Sequence, residues 1–223
     1  MEKTYSYILA LTGASGAIYG LSLLRALIEH SFFVHLIISK PGFTVMKDEL
    51  DMFADANAEG AKADSAVKEE IINKIKLHFS ADRDFSYYAG MFELLDENFL
   101  ESRIASGSAK DIKGMAVVPC SMGSLSRIAC GISGNLIERA ADVVLKERKK
   151  LIICPRETPL NDIHLKNMLS LYSSGAVILP LIPAFYNKPR TVADIVNFMT
   201  GRILDSFGVD NDIYARWGAY GAT

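Results

Sequence analysis

Several residues able to hold an anion or move a proton stand directly after short apolar runs. In LIICPRETPLNDIH (151–164), Arg156 and Glu157 form an adjacent opposite-charge pair between Pro155 and Pro159. An arginine fork binds carboxylate or phosphate, and a carboxylate beside it can take or return a proton. Arg139 and Lys146 are seven residues apart, within about 20° of one helical face. Asp142 lies between them, so an exposed charged ladder explains the three equally well. Tyr186 sits in PLIPAFYNKPR and Arg202 interrupts the apolar FMTGRILDSF, where an arginine can also simply snorkel. Glu49 reads as a solvated carboxylate on a short helix.

Two small-residue stretches offer backbone N–H groups to a ligand. TGASGAIYG brings Gly13, Ala14, Ser15 and Gly16 to the start of a helix, where an anion is favoured. PCSMGS brings Ser121, Met122, Gly123 and Ser124 as a second such loop, and Ser39 ends another apolar run. The glycines at 13, 16 and 20 miss the GxGxxG spacing, and no YxxxK, Walker A or Ser–His–Asp pattern occurs. The four histidines read as structural.

Positioning these residues requires a scaffold with many strand ends on one side. YSYILALTG, FVHLIISK, MAVVPCS, LIICP and AVILP read as buried strands without polar alternation. Helical patterns at about 17–30, 42–50, 134–149, 161–174 and 191–207 separate or follow them. The reading is α/β, a doubly wound parallel sheet in a single domain spanning 1–223, Rossmann-like in character. In such sheets ligands sit beyond the carboxyl ends of the strands, the edge to which all these residues are delivered. Residues 51–105 break the rhythm and read as a helical or irregular excursion with no clear strand.

With 50% hydrophobic and 22% charged residues, the chain has globular composition. A formal net charge of -2 provides no global field for nucleic acid or an anionic membrane. Cys120, Cys130 and Cys154 are odd in number and lack ligand spacing, which argues against a disulfide frame or a zinc site and for a reducing compartment. The N-terminal MEKTYSYILALTG lacks a secretion signal, and the longest apolar run, GAVILPLIPAFY, is short and contains two prolines. The expectation is a cytoplasmic protein.

TGASGAIYG, the run from PCSMGS through NLIERAADVVLKERKKLIICPRETPLNDIHLKNML, GAVILPLIPAFYNKP and the terminal ARWG resemble the UbiX-type flavin prenyltransferases. The resemblance covers roughly 5–50 and 105–218, and residues 51–105 match no pattern of that family. It implies a flavodoxin-like subunit, assembly into a dodecamer and flavin mononucleotide (FMN) at subunit junctions. It also implies transfer of a dimethylallyl group from dimethylallyl phosphate to N5 and C6 of reduced FMN, without a metal. The prenylated flavin would pass to a UbiD-type decarboxylase. Carried over by position, Gly13, Ala14, Ser15, Ser39, Ser121, Met122, Gly123, Ser124 and Arg156 resemble the FMN-contacting set. Tyr186 and Arg202 resemble the prenyl-phosphate ligands, joined in the same anion pocket by Arg139 and Lys146. Glu49 matches a carboxylate near that phosphate and Glu157 an acid/base near the flavin ring, with Ser15 as a relay.

Two other readings compete. An FMN-dependent cysteine or phosphopantothenoylcysteine decarboxylase shares the fold, but carries an Asn-containing loop where this chain has PCSMGS and a histidine on an early helix. Here that helix has only His30, at its far end. A non-catalytic FMN carrier would have no use for Glu49, Lys146, Tyr186 and Arg202 as a set. The choice between a monophosphate and a diphosphate donor stays open.

Overall fold

The computed structural model describes residues 5–53, 65–79 and 84–216. The strands are β1 (Ser6–Leu11), β2 (Phe33–Ile38), β3 (Phe92–Leu95), β4 (Ile112–Cys120), β5 (Lys150–Pro155) and β6 (Val177–Ile178). The helices are α1 (Ala17–Glu29), α2 (Lys40–Leu50), α3 (Ser65–Phe79), α4 (Phe85–Gly90), α5 (Met122–Ala129), α6 (Leu136–Lys146), α7 (Asp162–Ser173) and α8 (Val192–Phe207). All strand pairs are parallel, in the order β3-β2-β1-β4-β5-β6. The chain winds outward in one direction through β2 and β3, returns to β4 beside β1, and then winds the other way. The β1/β4 boundary is therefore the topological switch point, where such sheets bind ligands.

Burial on both faces explains the unbroken apolar strands. Every residue of β1 is buried. Leu9 and Leu11 face a layer made by α1, α2, α3, α4 and α8, whereas Ile8 and Ala10 face α5, α6 and α7. The amphipathic α6 turns Leu136, Ile137, Ala140, Ala141 and Val144 to the sheet, and Asn135 caps it by accepting from the Glu138 N–H at 2.9 Å. In α8 a capping box between Thr191 and Asp194 opens the helix, and Gly208 at φ 79° closes it.

Two elements differ from the sequence expectation. The excursion contributes β3, which pairs with β2 at the sheet edge, along with the described helices α3 and α4. With four residues alternating buried and half-buried, β3 is too short to stand out among aromatic neighbours. PCSMGS is no loop either. Ser121 is the N-cap of α5, and Met122 to Ser124 form its first turn. Within MGSLSRIA the apolar positions are too few to establish a helical period.

The buried His35 has Nδ1 at 2.6 Å from Glu93 and Nε2 at 3.2 Å from Ser6. Ser6 donates to Asp111 at 3.0 Å, and Arg103 ion-pairs with the same carboxylate. This is a Ser–His–carboxylate chain in space, but Ser6 is only 2% exposed and the chain ties β1, β2 and β3 together. The structural reading of this histidine holds.

Candidate active site

The rim at the strand ends gathers most of the expected residues. Thr12 bolts the switch point: its hydroxyl donates to the Pro119 carbonyl at 2.9 Å and accepts from the Ser121 N–H at 2.8 Å. The turn after it packs hard against α2, because a Cβ on Gly13 would lie 2.4 Å from the Pro41 Cβ. Ala14 is buried and Ser15 exposed. Ser39 caps α2 by accepting from Gly42 N–H at 3.0 Å. Ser121 accepts from the Ser124 N–H at 3.3 Å and donates to the Ser124 hydroxyl at 3.1 Å. Met122 is buried and Gly123 exposed.

Arg156 joins three strand ends. Its backbone N–H donates to the Cys120 carbonyl at 3.2 Å, and its Nε–H reaches across to the Ser15 carbonyl at 3.2 Å. Glu157, exposed, accepts from the Thr158 N–H at 3.0 Å. No ion pair joins Arg156 to Glu157 among the described residues, so the adjacent charges face different targets. Glu49 is no solvated bystander. Its carboxylate accepts from Gly16 N–H at 2.9 and 3.0 Å and from Ala17 N–H at 3.0 Å, filling the positive end of α1.

Beside this rim lies a pocket of about 310 Å³ with Arg156, Glu157 and Thr158 as polar lining and Leu160, Met168 and Leu181 as apolar lining. A polar edge over an apolar floor, next to hydroxyls and small-residue turns, suits a flat heteroaromatic ring carrying a phosphate tail. The residues present therefore fit FMN, with Gly13–Ser15, Ser121–Ser124 and Arg156 as the groups to hold it.

The remaining cations stand on other elements, and two of them lie away from that rim within one chain. Arg139 and Lys146 ride on α6, in the opposite layer from α1, where Arg139 donates to Asp142 at 2.9 Å and Lys146 pairs with Glu147 at 3.2 Å. Lys146 ends α6 just before β5 starts, at the edge of the sheet away from the rim. Arg202 and Tyr186 lie in a third place, around α8. Tyr186 packs edge-on against Phe198 with centroids 5.8 Å apart, and Arg202 lies 3.5 Å from Asp205. One turn beyond Arg202, the Ser206 carbonyl accepts from Lys150 at the start of β5, again away from the strand carboxyl ends. Within one chain Lys146 and Arg202 thus stand away from Arg156, whereas Arg139 lies near the start of α6, where the Leu136 N–H meets the Glu97 carbonyl beyond β3 at 2.7 Å.

Residues that the sequence reading passed over complete the picture. Glu97, after β3, accepts from the Lys40 N–H at 2.7 Å and so fixes the start of α2. Tyr214 and Arg216 both bond to Asp205, which lies 3.5 Å from Arg202, and Tyr214 also hydrogen-bonds Arg202. The i, i+3 spacing of Arg202 and Asp205 was the only sign of that cluster in the sequence. Arg216 belongs to the ARWG motif, whose Trp217 and Gly218 lie outside the described residues. Among the described residues no group of His, Cys, Asp and Glu is placed to hold a metal, and no helix is long and apolar enough to cross a membrane.

The flavoprotein family model matches residues 1–204. A flavin prenyltransferase UbiX of Methanocaldococcus jannaschii is 44% identical over 211 residues, covering 95% of this chain and 97% of that protein. The UbiX of Alkalihalophilus pseudofirmus is 42% identical over 208 residues, covering 93% and 94%. The chain belongs to the UbiX-type flavin prenyltransferase family. Among solved structures, a UbiX (PadA1) in complex with FMN and dimethylallyl pyrophosphate superposes with a TM-score of 0.76 at 34% identity, covering 96% of this chain and 98% of that one. A dodecameric FMN-dependent UbiX-like decarboxylase from Escherichia coli O157:H7 gives 0.74 at 37% identity, covering 95% and 98%. A cysteine decarboxylase of thioviridamide biosynthesis, at 12% identity and a TM-score of 0.53, shares the fold alone. These matches span so much of each chain that residues 51–105, expected to fall outside the family pattern, lie largely within them.

Proposed function

We propose that this chain transfers a dimethylallyl group from dimethylallyl phosphate to N5 and C6 of reduced FMN, and that the prenylated FMN passes to a UbiD-type decarboxylase. The observation that carries this reading is the division of its polar residues into separate sets. The rim offers one arginine and two carboxylates beside a flavin-sized pocket, and α6 and α8 offer further cations and phenols elsewhere. A protein that merely stores FMN needs the rim and has no task for a second phosphate set. A cysteine decarboxylase needs a histidine near the flavin. His30 instead caps the far end of α1, with Nδ1 2.7 Å from the Ala26 carbonyl.

The chemistry suits the groups. When the allylic C–O bond breaks, the phosphate keeps the electron pair and its negative charge grows. Arg202, Tyr186, Arg139 and Lys146 would stabilise that charge, most strongly where water is excluded. The bond at N5 would displace one proton; the bond at C6 would consume the prenyl double bond, whose inner carbon takes up a proton while C6 gives one up. Glu157 beside the pocket, and Glu49 with Ser15 at the α1 turn, are the groups to receive or relay them. FMN supplies the nucleophilic ring; the protein supplies position, charge and proton acceptors.

Because Lys146 and Arg202 stand away from the rim within one chain, a complete site needs several copies of the chain. We assign it to a homo-oligomer, a dodecamer as in the related decarboxylase of known structure. Ile163, Leu169 and Tyr172 on α7, each more than 60% exposed in a single subunit, offer apolar surface for such contacts. Three unpaired thiols suit a reducing cytoplasm. Anaerobic incubation with reduced FMN and dimethylallyl phosphate tests the reaction: the flavin should gain the mass of one five-carbon unit. An unchanged flavin mass with both the monophosphate and the diphosphate donor would sink it.

A further inference from the structure

Asp205 is the most heavily bonded carboxylate of the α8 cluster. Arg216 donates to it through both terminal nitrogens, at 2.9 and 3.2 Å, in a fork. Tyr214 donates its hydroxyl at 2.7 Å and Asn211 its amide at 2.9 Å. Arg202 comes last, at 3.5 Å. A carboxylate offers about four lone-pair positions, so the closer donors fill it and Arg202 stands at the margin. The Arg202 guanidinium also hydrogen-bonds Tyr214, and with its side chain 51% exposed it keeps donors to spare.

The same contacts fix what stands next to Arg202. The Tyr214 ring packs against α8 at Gly201, where a Cβ would sit 2.3 Å from a ring carbon, so a larger residue leaves no room for it. That ring meets Phe198 edge-on with centroids 5.1 Å apart, and Phe198 meets Tyr186 in the same way. Arg216 lies over the Tyr214 ring with its guanidinium carbon 5.4 Å from the centroid. Two arginines, two phenols and one carboxylate therefore share one side of α8, with Asp210 close enough to Arg216 to act on its charge.

We infer that Asp205 is a positioning residue of the donor-phosphate site: it docks Tyr214 and Arg216 beside Arg202, which keeps its guanidinium available to the phosphate. This rests on the prenyl-transfer reading, and binding of inorganic phosphate tests the anion site apart from it. The sign of one substitution separates positioning from simple electrostatics. Removing a negative charge next to an anion site strengthens anion binding by Coulomb's law alone. Loss of positioning weakens it, because two like-charged guanidiniums lose their common anchor.

The test compares wild type with Asp205→Asn, and with Gly201→Ala and Tyr214→Phe as routes that leave the Asp205 charge in place. Calorimetric binding of inorganic phosphate and of dimethylallyl phosphate is measured together with FMN affinity, KM for the donor and kcat. Asp205→Asn is expected to weaken phosphate and donor binding by about tenfold, as for a lost charge-assisted contact, with FMN affinity within about twofold of wild type. Gly201→Ala should follow it, and Tyr214→Phe should show a smaller loss in the same direction. Unchanged or tighter phosphate binding in Asp205→Asn overturns the inference, as does a parallel loss of FMN affinity. If Asp205→Asn and Gly201→Ala do not fold, Tyr214→Phe decides by the same criteria. Absence of prenylated flavin from wild type would refute the functional reading alone, since phosphate binding still reports on Asp205.

Discussion

Glu49 and Gly16 are 33 residues apart, yet the Glu49 carboxylate accepts from the Gly16 N–H with both oxygens and from Ala17 with one. The contact locks α2 to the first turn of α1 and puts a negative charge where a helix N-terminus favours one. It also places a carboxylate beside Ser15, on the rim assigned to proton traffic.

This double role can be split. Glu49→Gln keeps an acceptor oxygen for the two N–H groups but no charge or proton affinity. Glu49→Ala removes both. Chemical denaturation of Glu49→Ala should show a loss of about 1 kcal/mol, as for other lost helix caps, and Glu49→Gln a smaller loss. Prenyl transfer should fall by about tenfold or more in both. Full activity in Glu49→Gln would leave Glu49 a cap only.

The Glu93–His35 contact makes the β3 edge acid-sensitive. The hydrogen bond from His35 is the main cause that holds the Glu93 carboxyl below its ordinary value of 4.5, against the opposing effect of burial. A carboxyl with a lowered folded value stabilises fully above its unfolded value and loses that contribution as pH falls through the folded one. Urea denaturation should therefore show wild type more stable than Glu93→Gln near neutral pH. The gap should close as the pH falls below about 4.5, the ordinary glutamate value. A pH-independent gap would mean that the contact is not charge-linked.

Two of the three thiols should be inert. Burial pushes the Cys120 thiol up to about 12 and raises Cys154 well above its usual 9.0. Neither can present appreciable thiolate at ordinary pH. Native protein treated with iodoacetamide at pH 8 should carry no label on either residue by peptide mapping, and urea should expose both. Labelling of Cys120 in the native state would contradict its sealed position between the β4 end and α5.

The strands and their carboxyl ends were legible because burial on both faces leaves unbroken apolar runs, and because Gly13–Ser15, Ser39, Ser121 and Arg156 directly follow such runs. Less legible were the short elements. FELL and MGSLSRIA each span too few residues for their period to show. The separation of Lys146 from the rim was hidden for another reason. Seven-residue spacing places two side chains on one face of a helix, but does not say on which face of the sheet the helix lies. Crossover handedness could have told: α1 and α6 connect strands running in opposite directions from the switch point, so right-handed crossovers must put them in opposite layers. The three N–H bonds of Glu49 depend on the approach of α2 to α1, and no local pattern encodes that approach. Asp205 was overlooked because its donors Asn211, Tyr214 and Arg216 come from an irregular segment without periodicity.

The central claim is that prenyl transfer occurs at a site built from rim and α6 residues of different copies. Arg156→Ala removes the rim cation and Arg139→Ala the α6 cation, and each homo-oligomer should form little prenylated FMN. The decisive measurement is prenylated FMN formed by oligomers co-assembled from the two variants in equal amounts. Random assortment leaves about one site in four with both arginines intact, so product should return to roughly a quarter of the wild-type rate. If both arginines serve the site of their own chain, every site in the mixture carries a lesion, and product formation will stay at the level of the separate variants.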